Sequence, residues 1–200
     1  VHVTDRQQNI AKLLRRRRWM YRGAMGFVVV LIVLALLDRA GAFGIKSRDW
    51  QKFNRQSFLV VRVINGDELV IRDEAGTEHE VSLIGVDAPD LDAYWAAQAT
   101  EYLTNRTRDR KVILRFDTTR SRDDLGRLHA YVYVNDGDQL NLDILRDGQA
   151  YADRRQVHSL SGQFSAAESE ARKKPRGLWK DLKFADMPQW RQEWLNSLKR

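Results

Sequence analysis

Cysteine is absent from the 200 residues, proline occurs 3 times and glycine 12 times. Without cysteine there is no disulfide framework, no thiolate zinc centre and no cysteine nucleophile. So little proline and glycine excludes collagen-like and low-complexity chains, and no internal repeat is visible. With 43% hydrophobic and 10% aromatic residues, one packed core is expected.

A basic surface is also missing where it would matter for a generic nucleic-acid binder. The net charge is +7, but residues 1–56 hold 12 Lys+Arg against 3 Asp+Glu, whereas residues 57–200 hold 22 against 24. The positive charge belongs to the amino-terminal segment, so polyanion binding by the rest needs a local cluster.

That first segment contains the one long uncharged run, Gly23–Leu37, behind Arg15–Arg18 and Arg22 and ahead of Asp38-Arg39. Fifteen helical residues reach roughly 22 Å, short of the ~30 Å hydrocarbon core, and Trp19, Tyr21 and Ala40–Ile45 extend the run at its interfaces. A retained anchor, a signal peptide cut at Ala40-Gly41-Ala42 and a buried core helix are the three readings. Apolar residues on every face of Phe27–Leu37 argue against a core helix, and Asp38-Arg39 before the triplet argues against cleavage. The expected organisation is a cytoplasmic basic segment at 1–22, a single transmembrane helix at 23–45 and a stalk at 46–56. Cationic flanks stay inside, which places the carboxy-terminal domain outside the cytoplasm.

From Ser57 the pattern changes to short β-prone runs. Phe58–Ile64, Leu69–Ile71 and His79–Ile84 alternate with Asn65-Gly66 and Asp73–Thr77, which carry turn chemistry. A helix is expected over Leu91–Thr107 with Asp90 as its cap. Strands follow at Val112–Phe116 and Leu128–Val134, then helices at Asn141–Arg146, Gln163–Lys173 and Pro188–Leu198. This order suits an α+β OB-fold, a five-stranded β-barrel with about three packed helices, preceded by the transmembrane helix.

Acidic residues stand at turns and strand ends: Asp67, Asp87, Asp90 and Asp123. Carboxylates at the ends of neighbouring strands suit a hard cation such as calcium, although an aspartate beside glycine or proline is ordinarily a turn residue. Taken in order, Ile64–Asp67, Leu83–Asp90, Asp123–Tyr133, Leu142–Tyr151 and Glu168–Trp179 resemble the staphylococcal-nuclease-like (thermonuclease) domain family. The resemblance covers residues 57–181 and leaves 182–200 as a carboxy-terminal helical extension.

The resemblance implies an OB barrel with three helices and calcium-dependent hydrolysis of DNA and RNA. It implies that Asp67, Asp87 and the Ala88 carbonyl hold Ca²⁺, that Asp90 prepares the attacking water, and that Arg127 stabilises the transition state. Three positions depart from the family pattern. Ser82 stands where a phosphate-clamping arginine is usual, Asp90 where glutamate is usual, and Glu68 where threonine is common. A hydroxyl cannot replace a bidentate guanidinium. Two functions therefore stand side by side: a membrane-anchored calcium-dependent nuclease, and a catalytically impaired module that binds nucleic acid or a protein, the missing arginine tilting the reading to the second. Trp190, Trp194 and Leu198, four apart on one helix face, are the expected protein contact. His79 and His129 read as strand residues rather than ligands, the basic clusters at 106–111 and 172–174 as helix ends, and Tyr131, Tyr133 and Tyr151 as packing residues.

Overall fold

The structure is a computed structural model that describes residues 28–33, 48–118, 121–135 and 137–199. The chain divides into two compact units, Val1–Ile45 and Lys46–Arg200. In the first, residues 28–33 are helical (α1) and their side chains are 47–54% exposed. Among the described residues no helix is long and apolar enough to cross a membrane. The basic segment 1–22, and the span expected at 23–45 apart from residues 28–33, lie outside the described residues.

The second unit is built on five strands that close on themselves. β1 (Ser57–Val63), β2 (Glu68–Arg72) and β3 (Glu78–Leu83) form the expected antiparallel meander, and β5 (Lys111–Arg115) and β6 (Leu128–Val134) pair with each other. β5 also pairs with β1, and β3 runs parallel to β6 through Val81↔Leu128, Ser82↔His129 and Leu83↔Ala130. Closure in the order β1-β2-β3-β6-β5 is that of an OB barrel, and the two-residue β7 (Asp138–Gln139) lengthens the sheet beyond β6. Leu69, Ile71, Val81, Leu83, Val112, Leu114, Leu128 and Val132 fill the core. These β-branched and leucine side chains alternate along pleated strands, so one face of each strand turns inward.

Helices α3 (Ala96–Thr107), α4 (Leu140–Arg146) and α5 (Ser161–Lys173) are the three expected from the sequence. α3 begins later than anticipated, because Asp90 is not its cap. Trp95 has φ 73° and opens the helix instead. Its indole donates to Gln149 Oε1 at 2.8 Å, and the Asp90 backbone carbonyl accepts the Ala93 N–H in a preceding turn at 2.7 Å. That displacement leaves the Asp90 carboxylate exposed.

Of the segment 46–56 expected as a stalk, residues 48–56 are described, and they pack on the barrel. Arg48–Phe53 form α2, and Phe53, 1% exposed, packs on Phe58 and His79 with ring centroids at 5.4 and 4.8 Å. Asp49 pairs with Arg122 at 2.6 Å and Lys52 with Asp73 at 2.5 Å. Trp50 and Phe53, three apart in an otherwise polar run, mark the buried face.

Two strands of two residues each matter most for position. β4 (Val86–Asp87) pairs with β8 (Tyr151–Ala152) through Val86↔Ala152 and Asp87↔Tyr151. Gly85, at φ 71°, turns the chain out of β3 into β4, and a Cβ there would meet His158 Nε2 at 2.3 Å. Asn141, fully buried, fixes this corner: its amide donates to the Ile84 carbonyl at 2.9 Å and its oxygen accepts the Val132 N–H at 2.8 Å.

The last segment, two 3₁₀ turns (Gly177–Lys180 and Phe184–Asp186) and α6 (Gln189–Ser197), packs back on the barrel. Arg191 is fully buried and donates to Glu168 Oε1 at 2.7 Å. Rings of Tyr151, Trp179, Trp190 and Trp194 surround it within 6.0 Å. Trp190 and Trp194 are half-buried against Arg155 and Arg154, while Leu198 is 65% exposed.

Candidate active site

The β1–β2 turn, the β3–β4 corner, the loop before β6 and the segment after β8 meet around one cavity of about 170 Å³. Asp67, Asp87, Ala88, Asp90 and Arg127, the residues singled out in the sequence, all line it, and so does Ser82. Local chemistry explains how each arrives. The Asp67 N–H donates to Asn65 Oδ1 at 3.0 Å in an Asx turn. Gly66 lets that turn sit against the next segment, since a Cβ on it would fall 2.6 Å from the Ala99 Cβ and 2.7 Å from the Ala88 Cβ. The Ala88 backbone N–H in turn favours the charged form of the Asp67 carboxyl.

Removal from water, and then the charge of Asp87, push the Asp67 carboxyl up to about 8. Burial also raises the Asp87 carboxyl, against the opposing pull of Trp190 and Arg155. Two carboxylates raised chiefly by burial, in a small polar cavity, form an oxygen donor set of the kind a hard cation takes. Asp87 accepts one hydrogen bond at each oxygen, from Arg155 at Oδ1 and from the Trp190 indole at Oδ2 (2.9 Å), and a carboxylate oxygen has a second lone pair to give. Among the described residues no group of three or more His, Cys, Asp or Glu side chains stands at metal-binding separation. A cation here would draw on the two carboxylates, a backbone carbonyl and water.

Arg127 leaves the loop before β6 with its guanidinium clasped by two acids. Its Nε donates to Asp123 Oδ2 at 2.7 Å, and its terminal amine donates to Glu68. Part-burial works against the charge, yet Asp123 and Glu68 outweigh it and hold the guanidinium above its ordinary pKa. Asp123 also receives the Leu125 and Arg127 N–H groups at 3.0 and 2.9 Å and shapes the loop. Ser82 lies directly across from Glu68 in the β2–β3 ladder and from His129 in the β3–β6 ladder. The Glu68 carboxylate accepts from Arg127.

Arg155, Asp153, Gln156 and His129 also line the cavity, and the sequence reading did not single out the first three. They arrive because β8 pairs with β4, a contact of two-residue strands that carries no periodicity of its own. His129 is half-buried and burial lowers its pKa. His79 serves the core edge instead, bonding Asp73 at 2.8 Å. Tyr131 and Tyr151 are buried packing residues, and Tyr133 lies under the Arg115 guanidinium at 4.1 Å.

A second cleft, about 520 Å³, adjoins the first and shares Asp87, Ala88, Asp90 and Arg155 with it. Its far wall is Met187, Pro188, Trp190 and Glu193 of the last segment.

Comparison with known proteins agrees with this architecture. The chain is 27% identical over 167 residues to a thermonuclease of Staphylococcus hyicus, covering 78% of this chain and 95% of that protein. A thermonuclease of Staphylococcus intermedius is 29% identical over 166 residues, 78% of this chain and 93% of its own length. An uncharacterized endonuclease of Escherichia coli O157:H7 is 29% identical over 132 residues, 66% of this chain and 80% of its own length. The family model for staphylococcal nuclease homologues matches residues 80–181, and the chain belongs to that family.

Proposed function

We propose that this chain hydrolyses phosphodiester bonds in nucleic acid with the help of a hard divalent cation, Ca²⁺ by resemblance. The observation that carries the reading is the convergence of Asp67, Asp87, Asp90 and Arg127 from separate stretches of sequence on one cavity. Its relatives named thermonuclease extend over nearly their whole length, which supports the same reading. When bound between Asp67, Asp87 and the Ala88 carbonyl, the cation would neutralise phosphate charge. Asp90, exposed at the rim and shared by both clefts, takes the proton of the attacking water. The water oxygen forms a bond to phosphorus, one P–O ester bond breaks, and the departing sugar oxygen is protonated from solvent. Arg127 donates to the phosphoryl oxygens as charge builds on them; its fixed orientation by Asp123 and Glu68 means little reorganisation at that moment.

Ser82 favours a second reading, in which the fold binds without cutting. Incubating the full chain with plasmid DNA and with RNA, in Ca²⁺ or in EDTA, separates the two. Cleavage that needs Ca²⁺ supports hydrolysis, and intact substrate in both conditions leaves a binding module. We also read residues 23–45 as a membrane anchor with the barrel outside the cytoplasm, on the strength of the uncharged run Gly23–Leu37 and the arginines before it. Carbonate-washed membranes should retain the chain, and external protease should reach its barrel.

A further inference from the structure

We infer that Arg155 is the second phosphate-binding guanidinium of this site, taking the part that Ser82 cannot. The inference rests on the hydrolytic reading above, and its observations are its own. Arg155 and Ser82 line the same cavity as Asp67, Asp87 and Arg127. Arg155 Nε donates to Asp153 Oδ1 at 2.9 Å, and one terminal amine donates to both Asp153 Oδ2, at 3.1 Å, and Asp87. Those bonds use three of its five N–H groups. The other terminal amine has no hydrogen-bond partner among the described residues, and half of the side chain is open to solvent.

Arg127 is held by acids too, but at different nitrogens. Two carboxylates hold its Nε and Nη1, which lie on different edges of the plane, and Nη2 is without a partner among the described residues. Each guanidinium therefore keeps one terminal amine without a partner among the described residues, and both residues line one cavity. Two such amines can grip an anion together, because a planar fork already fixed by acids loses little rotamer freedom when its remaining donors bind. Trp190 completes the support for Arg155, with the guanidinium carbon 5.0 Å from the ring centroid. Arg122 does not compete for the role, since it is taken by Asp49 at 2.6 Å and the Gly126 carbonyl at 2.6 Å.

The position also explains how the family pattern can lose its arginine at 82 without losing the charge. An arginine on β3 would approach the phosphate across Glu68, its ladder partner. Arg155 approaches from β8 instead and is positioned by Asp153, whose own N–H bonds the Gly85 carbonyl at 3.0 Å. The clamp has moved from the barrel wall to the rim segment that β4 holds in place.

The test measures binding and cleavage on the full chain with Arg155→Ala, Arg155→Lys, Arg127→Ala and Arg155→Ala/Ser82→Arg. A fluorescein-labelled single-stranded oligonucleotide is titrated in EDTA at several salt concentrations. Losing one phosphate contact lowers the slope of log K against log[salt] by about 0.7. Arg155→Ala should show that loss and Arg155→Lys should not. In Ca²⁺, Arg155→Ala should slow cleavage by about 10²–10³, as loss of a preorganised donor does. Arg155→Lys should lie between, and Ser82→Arg should recover at least about tenfold of the alanine variant's deficit. A wild-type salt slope and rate in Arg155→Ala, with its melting curve unchanged, overturns the inference. If the wild type cuts nothing, the hydrolytic reading falls, and the salt slopes alone then decide whether Arg155 touches phosphate. Arg155→Lys keeps that decision available should the alanine variant unfold.

Discussion

The Trp190 indole N–H donates to Asp87 Oδ2 at 2.9 Å, across 103 residues of sequence. A helix beyond the stretch matched by the family model thereby bears on a carboxylate of the cavity. Trp190→Phe keeps a ring beside Arg155 and removes the N–H. The change should lower stability by about 1 kcal/mol, the worth of one such bond, and raise the Asp87 carboxyl further, since the indole bond lowers it. Urea midpoints and a carboxyl titration by NMR would check both.

Arg191 and Glu168 form the other tie between α6 and the barrel, each at most 1% exposed in its side chain. Arg191→Ala leaves Glu168 with Arg154 at 3.1 Å and the Ala152 N–H at 3.1 Å, so the loss should fall towards the lower end of the about 3–5 kcal/mol for a broken buried pair. Arg191→Met with Glu168→Gln should recover much of it. Denaturant midpoints at constant slope would measure the difference.

What the sequence revealed and what it hid divide along physical lines. The five barrel strands were legible because their alternation of core and surface residues is local, and the turn dipeptides bounded them. Asp67, Asp87, Ala88, Asp90 and Arg127 were legible as a group through the resemblance, since each sits in a short stretch of recognisable order. Arg155 and the indole of Trp190 were not. Arg155 reaches the cavity through the β4–β8 pairing, and the indole reaches Asp87 with α6 tied down by the Arg191–Glu168 pair, both tertiary contacts with no signature in spacing. The packing of residues 48–56 was hidden for a similar reason: the run 46–56 is polar in composition, and the buried Phe53 ties its described part to the core. Asp90 looked like a cap because an acid precedes a helical pattern, whereas the left-handed Trp95 resets the start.

Asp73 should govern the acid limb of stability. Hydrogen bonds first from Lys52 and then from His79 hold its carboxyl well below the ordinary 3.8. A folded-state pKa below the unfolded one contributes stability above the unfolded value and loses it as pH falls through the folded one. Melting temperature should therefore decline below about pH 4. In Asp73→Asn that decline should be shallower, and the neutral-pH melting temperature lower, by calorimetry.

Gly66 sets the distance between Asp67 and Ala88. Gly66→Ala would place a Cβ 2.6 Å from that of Ala99 and 2.7 Å from that of Ala88, closer than real contacts allow. The overpacking should cost about 1–3 kcal/mol, and cleavage should fall as the turn shifts. Ala99→Gly in the same chain removes one of the two clashes and should return part of the stability.

The most direct measurement is the initial rate on a fluorogenic DNA oligonucleotide at saturating Ca²⁺, for the full chain and for Asp67→Asn, Asp87→Asn and Arg127→Ala, with melting curves recorded alongside. The cavity described here predicts a wild-type rate that EDTA abolishes and a fall of about 10²–10³ in Arg127→Ala. It predicts comparable losses in both aspartate variants, all without loss of the folded state. Calcium-dependent cleavage that persists unchanged in Asp87→Asn and Arg127→Ala would contradict it.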